Sequence, residues 1–154
     1  MGIVEQRLKD AGIVLLEPSV PKFNYVPFTA SGKTIYISGQ VSRLDDKTMI
    51  TGKLGGGVTV EQGYEAGRIC ALNILAHART AAGGDLDRVA RVLKVLGFVN
   101  STPDFVEAPK CINGASDLLV LAFGDAGKHA RSAISVASLP FGASVEVEAI
   151  IELK

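Results

Sequence analysis

The chain has 154 residues, and its 16 basic and 16 acidic side chains cancel to a formal net charge of zero. Hydrophobic residues make up 47% and charged residues 21%, which excludes a disordered chain. The balanced charge and the lack of any basic run argue against a nucleic-acid-binding surface. We therefore expect one folded domain over residues 1–154. So much apolar composition for this length predicts that the chain is an oligomer.

The N-terminal segment Met1–Asp10 is charged and lacks the apolar core of a secretory signal. The longest apolar run, Leu118–Phe123, falls far short of the ~20 residues that cross a bilayer. These features predict a cytoplasmic protein without a membrane segment.

Metal ligands are scarce, since the chain has only two cysteines and two histidines. Cys70, Cys111, His77 and His129 are far apart in sequence and follow no zinc-binding spacing. We expect no metal site and no cofactor, and interpret the cysteines as buried, reduced thiols.

The first third of the chain contains a helix, two strands and a loop. A short helix, Val4–Ala11, lies within an N-terminal extension of residues 1–21. Two strands follow, Lys22–Ala30 and Thr34–Val41, joined by a Ser-Gly turn. The glycine-rich stretch Leu44–Gly57 is typical of a loop.

A capping box at Thr59 and Gln62 opens a long helix that ends at Gly83-Gly84. The remaining predicted elements are a strand Val89–Val99, a helix Phe105–Gly124, a strand Ala130–Ala137, a turn Leu139–Gly142 and a strand Ser144–Leu153. The order of elements predicts an α+β fold, in which two helices cover one face of a single sheet. Because the strands are apolar on both faces, we expect further copies of the chain to cover the other face.

Polar residues occur at three places where a buried strand would not favour them: Arg131, Glu146, and Tyr25 with the strand end Ser38–Gln40. The planar guanidinium of an arginine suits a carboxylate ligand. Each residue also has an ordinary alternative, because Arg131 could pair with a surface acid and Glu146 could belong to a solvated acidic stripe.

Three stretches carry a family resemblance: Tyr25–Gln40 (Y-x9-I-x-I-S-G-Q), Gly97–Phe105 (GFVNSTPDF) and Arg131–Ile150 (RSAISVASLPFGASVEVEAI). Together they resemble the RidA family, also called YjgF/YER057c/UK114, over about Tyr25 to Leu153. This resemblance implies a chorismate-mutase-like subunit with one mixed sheet, and a homotrimer whose sheets close into a barrel. It also implies an enzyme that hydrolyses reactive 2-enamino and 2-imino acids to 2-oxo acids and ammonia in clefts between subunits.

The resemblance assigns roles by matching positions. Arg131 matches the arginine that binds the substrate carboxylate, and Glu146 matches the acid that orients the attacking water. The remaining matches are predicted to bind substrate: Tyr25, Ser38, Gly39, Asn113 and Ala133. Ala133 stands where many members have cysteine, and Ser116 replaces an aromatic residue three positions after the helix asparagine.

A hairpin between the last two strands, turning at Pro140-Phe141, would place Arg131 opposite Ile150. Glu146 would then lie about 13 Å along the same face. That distance is too long for one small substrate, so we predict that Arg131 and Glu146 meet across a subunit boundary.

Two other functions remain open on the sequence alone. The chain could be a non-catalytic trimer that binds small carboxylates such as 2-oxo acids, which also needs Arg131. It could instead be an endoribonuclease of the L-PSP type, but zero net charge and the absence of basic and aromatic interleaving do not favour RNA.

Overall fold

A five-stranded mixed sheet forms the centre of the fold in the computed structural model, which describes residues 1–154. The helices are α1 (Ile3–Asp10), α2 (Val60–Ala81) and α3 (Ala108–Phe123), and the strands are β1 (Phe28–Ser31), β2 (Thr34–Val41), β3 (Val89–Asn100), β4 (Ala130–Val136) and β5 (Val145–Leu153). None of the helices combines the length and apolar character needed to cross a membrane. The α+β class with one mixed sheet is confirmed.

The strand order is β1-β2-β5-β3-β4, so the C-terminal strand lies at the centre of the sheet. β5 pairs antiparallel with β2 and β3, whereas β4 pairs parallel with β3 and forms an edge. Val145, Val147, Ala149 and Ile151 of β5 are buried beneath the helices. The intervening residues of β5 face the opposite side, as the alternation in the sequence predicts.

The predicted hairpin of the last two strands is wrong, because β4 and β5 are not neighbours. α3 connects β3 to the parallel strand β4, as parallel pairing requires a crossover. The chain then passes the end of β3 through a 3₁₀ turn at Pro140–Gly142 and enters the sheet between β2 and β3. Arg131 is therefore opposite Val95 of β3 and not opposite Ile150.

The first predicted strand is shorter than expected, because Lys22–Pro27 lies outside the sheet and β1 begins at Phe28. Pro27 has no N–H group to donate to a ladder, although its carbonyl accepts a hydrogen bond from the Ser38 N–H at 2.9 Å. The predicted helix Phe105–Gly124 likewise begins later, at Ala108. This start places Pro109 in the first helical turn, where a proline is tolerated because its missing N–H group has no partner within the helix. The capping box at Thr59 is present as predicted.

α2 and α3 pack side by side on one face of the sheet through closely approaching backbones. Gly67 of α2 lies against the backbone of Cys111, and Gly114 of α3 lies against the carbonyl of Tyr64. A Cβ atom at either glycine would overlap the facing backbone. These glycines therefore set the separation of the two helices.

The other face of the sheet has no helix. Tyr36 of β2 is 47% exposed, and Leu96 and Phe98 of β3 are only partly buried. On the neighbouring strand β5, Glu148 lies opposite Leu96 and Glu146 lies opposite Phe98. This face combines apolar and acidic side chains, and the chain itself leaves it open.

Replacing Gly114 by alanine is expected to destabilise the protein by about 1–3 kcal/mol through overpacking. At a solvent-exposed helix position, by contrast, a glycine-to-alanine change raises the free energy of unfolding by up to about 1 kcal/mol. Urea denaturation at fixed protein concentration measures the effect, with Leu121→Ala, on an exposed position of the same helix, as the control. An unchanged or higher midpoint for Gly114→Ala would contradict the close helix contact.

Candidate functional site

A β-bulge in β2 shapes one part of the predicted site. The pairing with β5 shifts between Ile37 and Gln40, so Ser38 and Gly39 share one position of the ladder. The Ser38 hydroxyl donates to the Val26 carbonyl at 2.7 Å. The bulge therefore fixes the irregular segment that precedes β1 against the end of β2.

A cavity of about 680 Å³ opens beside the bulge. Four predicted site residues line it: Tyr25, Ser38, Gly39 and Glu146. Gln40, which ends the predicted strand segment Ser38–Gln40, also lines it. Other lining residues were not predicted: Lys22, Phe23, Arg43, Asn73 and Phe141. Of the unpredicted residues named here, Phe141 had a signal, since it lies in the stretch Arg131–Ile150 that carries the family resemblance.

Phe141, which lines this cavity, has an unusual backbone conformation. Its backbone has a φ of 60°, a conformation that is uncommon outside glycine and that costs free energy. The ring lies 5.4 Å from the Arg43 guanidinium carbon, within the range of a cation–π interaction.

Glu146 is half-buried on β5, and its environment favours the protonated form. Burial raises the pKa of its carboxyl, and the negative charge of Glu148 raises it further. The carboxylate lies directly over Gly39, where a Cβ atom would overlap Oε1. The predicted role of Gly39 as a lining residue thus has a physical basis, because the missing side chain leaves room for the acid.

Arg131 lies elsewhere, at the edge strand β4, beside α3. Its Nη1 donates to Asn113 Oδ1 at 2.8 Å and to Ser116 Oγ at 3.1 Å. The ion pairs of the chain join other residues: Arg68–Glu65, Lys110–Glu107 and Lys128–Asp125. The alternative in which Arg131 pairs with a surface acid is therefore wrong within the chain, and its Nε and Nη2 groups have no protein acceptor.

The sheet separates the predicted site residues into two groups. Arg131 pairs with Val95, whose side chain is buried under the helices, whereas Glu146 pairs with Phe98 on the open face. β4, which carries Arg131, and β5, which carries Glu146, are separated by β3, so they lie two strand spacings apart, about 10 Å. Arg131, Asn113 and Ala133 form one group; Tyr25, Ser38, Gly39 and Glu146 form the other.

Neither cysteine is an activated nucleophile. Cys70 is fully buried, and its thiol contacts the Val145 carbonyl oxygen at 3.5 Å. Burial raises the pKa of Cys111 to about 11, so the thiolate is scarce at neutral pH. The interpretation of both cysteines as buried thiols is confirmed.

The mixed sheet with its helices on one face has the architecture of a chorismate-mutase-like subunit. Residues 5–153 match the model of the YjgF/chorismate mutase-like endoribonuclease family. The chain belongs to this family, the RidA family, which confirms the resemblance.

Three relatives illustrate the membership. Protein TCP17 of Trypanosoma cruzi is 47% identical over 153 residues, which covers 99% of this chain and 95% of that protein. The 2-iminobutanoate/2-iminopropanoate deaminase of Mus musculus is 35% identical over 118 residues, covering 77% of this chain and 73% of the relative. A crystal structure of a candidate endoribonuclease from Shewanella oneidensis is 35% identical, has a TM-score of 0.94 and covers 99% of this chain and 100% of that chain.

Substituting Gly39 by alanine is expected to push the Glu146 carboxylate towards solvent, since the new methyl group takes its place. The raised pKa of Glu146 should then fall towards the ordinary value for glutamate, because the burial that raises it is reduced. Carboxyl-selective ¹³C NMR titration measures this pKa. Gly56→Ala, in a surface loop outside the cavity, is the matched control; equal Glu146 pKa values in the two variants would contradict the proposed contact.

Proposed function

We propose that this protein hydrolyses reactive 2-imino and 2-enamino acids to 2-oxo acids and ammonia, as a homotrimer with sites between subunits. The observation that carries the proposal is the guanidinium of Arg131, which forms no ion pair within the chain and whose Nε and Nη2 have no protein acceptor. Such a group binds a carboxylate through two parallel hydrogen bonds. Membership of a family that includes a deaminase 35% identical to this chain supports the choice of substrate.

The site needs no metal for this reaction, because a protonated imine carbon is already electrophilic. Arg131 holds the substrate carboxylate, and Glu146 accepts a hydrogen bond from the attacking water. The water oxygen adds to the imine carbon, the π electrons move to nitrogen, and a water proton passes to Glu146. Glu146 returns the proton to nitrogen and then accepts the proton of the new hydroxyl group. The C–N bond breaks, and ammonia leaves as the carbonyl forms. An enamino acid enters the same sequence after protonation at its β-carbon.

The raised pKa of Glu146 suits this role. A carboxyl group whose pKa lies closer to neutral pH takes up and returns a proton more readily than an ordinary solvated glutamate. The remaining predicted residues have supporting roles in the proposal: Tyr25 and Ser38 line the cavity beside Glu146, while Asn113 and Ala133 accompany Arg131.

In the proposal, trimer formation brings Arg131 of one chain close to Glu146 of another. Arg131 and Glu146 face opposite sides of the sheet, so one substrate cannot contact both within a chain. β4 is an edge strand, and the open sheet face carries partly exposed apolar residues that a second copy would bury. A neighbouring chain that brings its own open face and cavity towards Arg131 would complete the site.

Enzymatically generated 2-iminobutanoate provides the direct assay, with release of 2-oxobutanoate as the readout. We expect the wild-type protein to accelerate release, and Arg131→Ala to lower kcat/KM by at least about 100-fold, because a charge-assisted bidentate contact is lost. Lys128→Ala, which removes an exposed cation two residues before β4, is the control. Binding of 2-oxobutanoate without acceleration would instead establish the carboxylate-binding alternative.

Mixed assemblies test whether the site is shared. Chains carrying Arg131→Ala and chains carrying Glu146→Gln, each with a different affinity tag, are co-expressed and purified through both tags. In a threefold ring every mixed trimer keeps one intact pairing, so we expect about one third of the wild-type rate. The single-variant trimers serve as inactive references, and mixed trimers no more active than these would disprove a site shared between chains.

A further inference from the structure

A chain of hydrogen bonds links Arg131 to the backbone of the buried residue Gly127. Arg131 Nη1 donates to Ser116 Oγ at 3.1 Å, and Ser116 Oγ lies 2.9 Å from His129 Nε2. His129 Nδ1 lies 2.6 Å from the Gly127 carbonyl oxygen. The three side chains come from α3, β4 and the residue just before β4, so tertiary packing brings them together.

The chemistry of these groups sets the direction of each hydrogen bond when the His129 ring is neutral. The Gly127 carbonyl can only accept, so His129 Nδ1 carries a hydrogen and donates it. In the neutral ring, Nε2 then accepts, and the Ser116 hydroxyl donates to it. The serine oxygen keeps its lone pairs for the Arg131 N–H group. All donations therefore point the same way, an arrangement in which each bond strengthens the next.

The neutral state of His129 is consistent with its surroundings. Burial lowers the pKa of its ring, and the positive charge of Arg131 lowers it further, while the bond to the Gly127 carbonyl acts in the opposite direction. Gly127, whose carbonyl accepts from His129, is buried and closely packed, since a Cβ atom there would overlap the backbone at Leu119.

We propose that Ser116 and His129 are positioning residues that hold the Arg131 guanidinium ready for a substrate carboxylate. This inference rests on the proposed function and concerns the same site. An arginine side chain has many rotamers, and fixing it beforehand lowers the entropy that is lost when a ligand binds. Nη1 is occupied by Ser116 and Asn113, so Nε and Nη2 are the pair directed to the ligand.

The role predicts a change in affinity with little change in the chemical step. Ser116→Ala and His129→Leu should each raise KM for 2-iminobutanoate and Kd for 2-oxobutanoate about fivefold, with kcat within about twofold of wild type. His129→Gln should have the wild-type KM and Kd, because the glutamine amide oxygen can occupy the position of Nε2 and accept a hydrogen bond from the Ser116 hydroxyl. Thr80→Ala removes a helical hydroxyl that bonds only its own helix, at Ala76, and should leave both constants unchanged.

A spectroscopic measurement tests the same chain of bonds without reference to activity. In ¹⁵N NMR spectra at pH 7, His129 should show a protonated Nδ1 and an unprotonated Nε2. The opposite tautomer, or a doubly protonated ring, would overturn the inference even in an inactive protein.

Comparison with Arg131→Ala separates the inference from the proposed function. If Arg131→Ala raises Kd for 2-oxobutanoate while Ser116→Ala and His129→Leu match wild type, the positioning role is wrong and the function stands. If Arg131→Ala leaves both activity and binding unchanged, the proposed function fails, and the NMR result alone decides whether the hydrogen-bond chain exists.

Discussion

The insertion of β5 between β2 and β3 is the constraint on which the rest of the structure depends. Both neighbours of β5 are antiparallel, and its alternating residues supply the buried side of the sheet with valine, alanine and isoleucine. The same alternation forces the glutamates of β5 onto the open face. One strand thereby builds the hydrophobic core and presents Glu146 on its other side, next to a bulge in β2 that leaves space for the carboxylate.

The position of Arg131 follows from a different connection. A parallel crossover through α3 places β4 at the sheet edge, and Arg131 extends from that edge towards the helix that made the crossover. Neutral acceptors hold one of its nitrogens, which leaves the charge uncompensated by the protein. A cation in this state favours an anionic ligand, whereas a paired arginine would be neutralised. The uncompensated charge of Arg131 is thus consistent with the carboxylate ligand that we propose.

Local patterns in the sequence were sufficient to predict most of the elements. The capping box at Thr59 and the alternation of β5 depend on neighbouring residues alone, and both predictions are confirmed. Strand pairing depends on where the chain goes after Pro140, which no local pattern contains, and the predicted hairpin was wrong. The contribution of Phe141 to the cavity was missed for the same reason, since the path of the chain through the 3₁₀ turn at Pro140–Gly142 places its ring there. The grouping of Tyr25, Ser38, Gly39 and Glu146 was accessible only through the family resemblance.

The division of polar groups between the two sides of the sheet has a consequence for when the proposed chemistry operates. If the proposed site is shared between chains, a single chain carries both halves but cannot bring them to one substrate, and the activity would require assembly. The rate per molecule at such a site would then fall steeply once the protein concentration drops below the dissociation constant of the assembly.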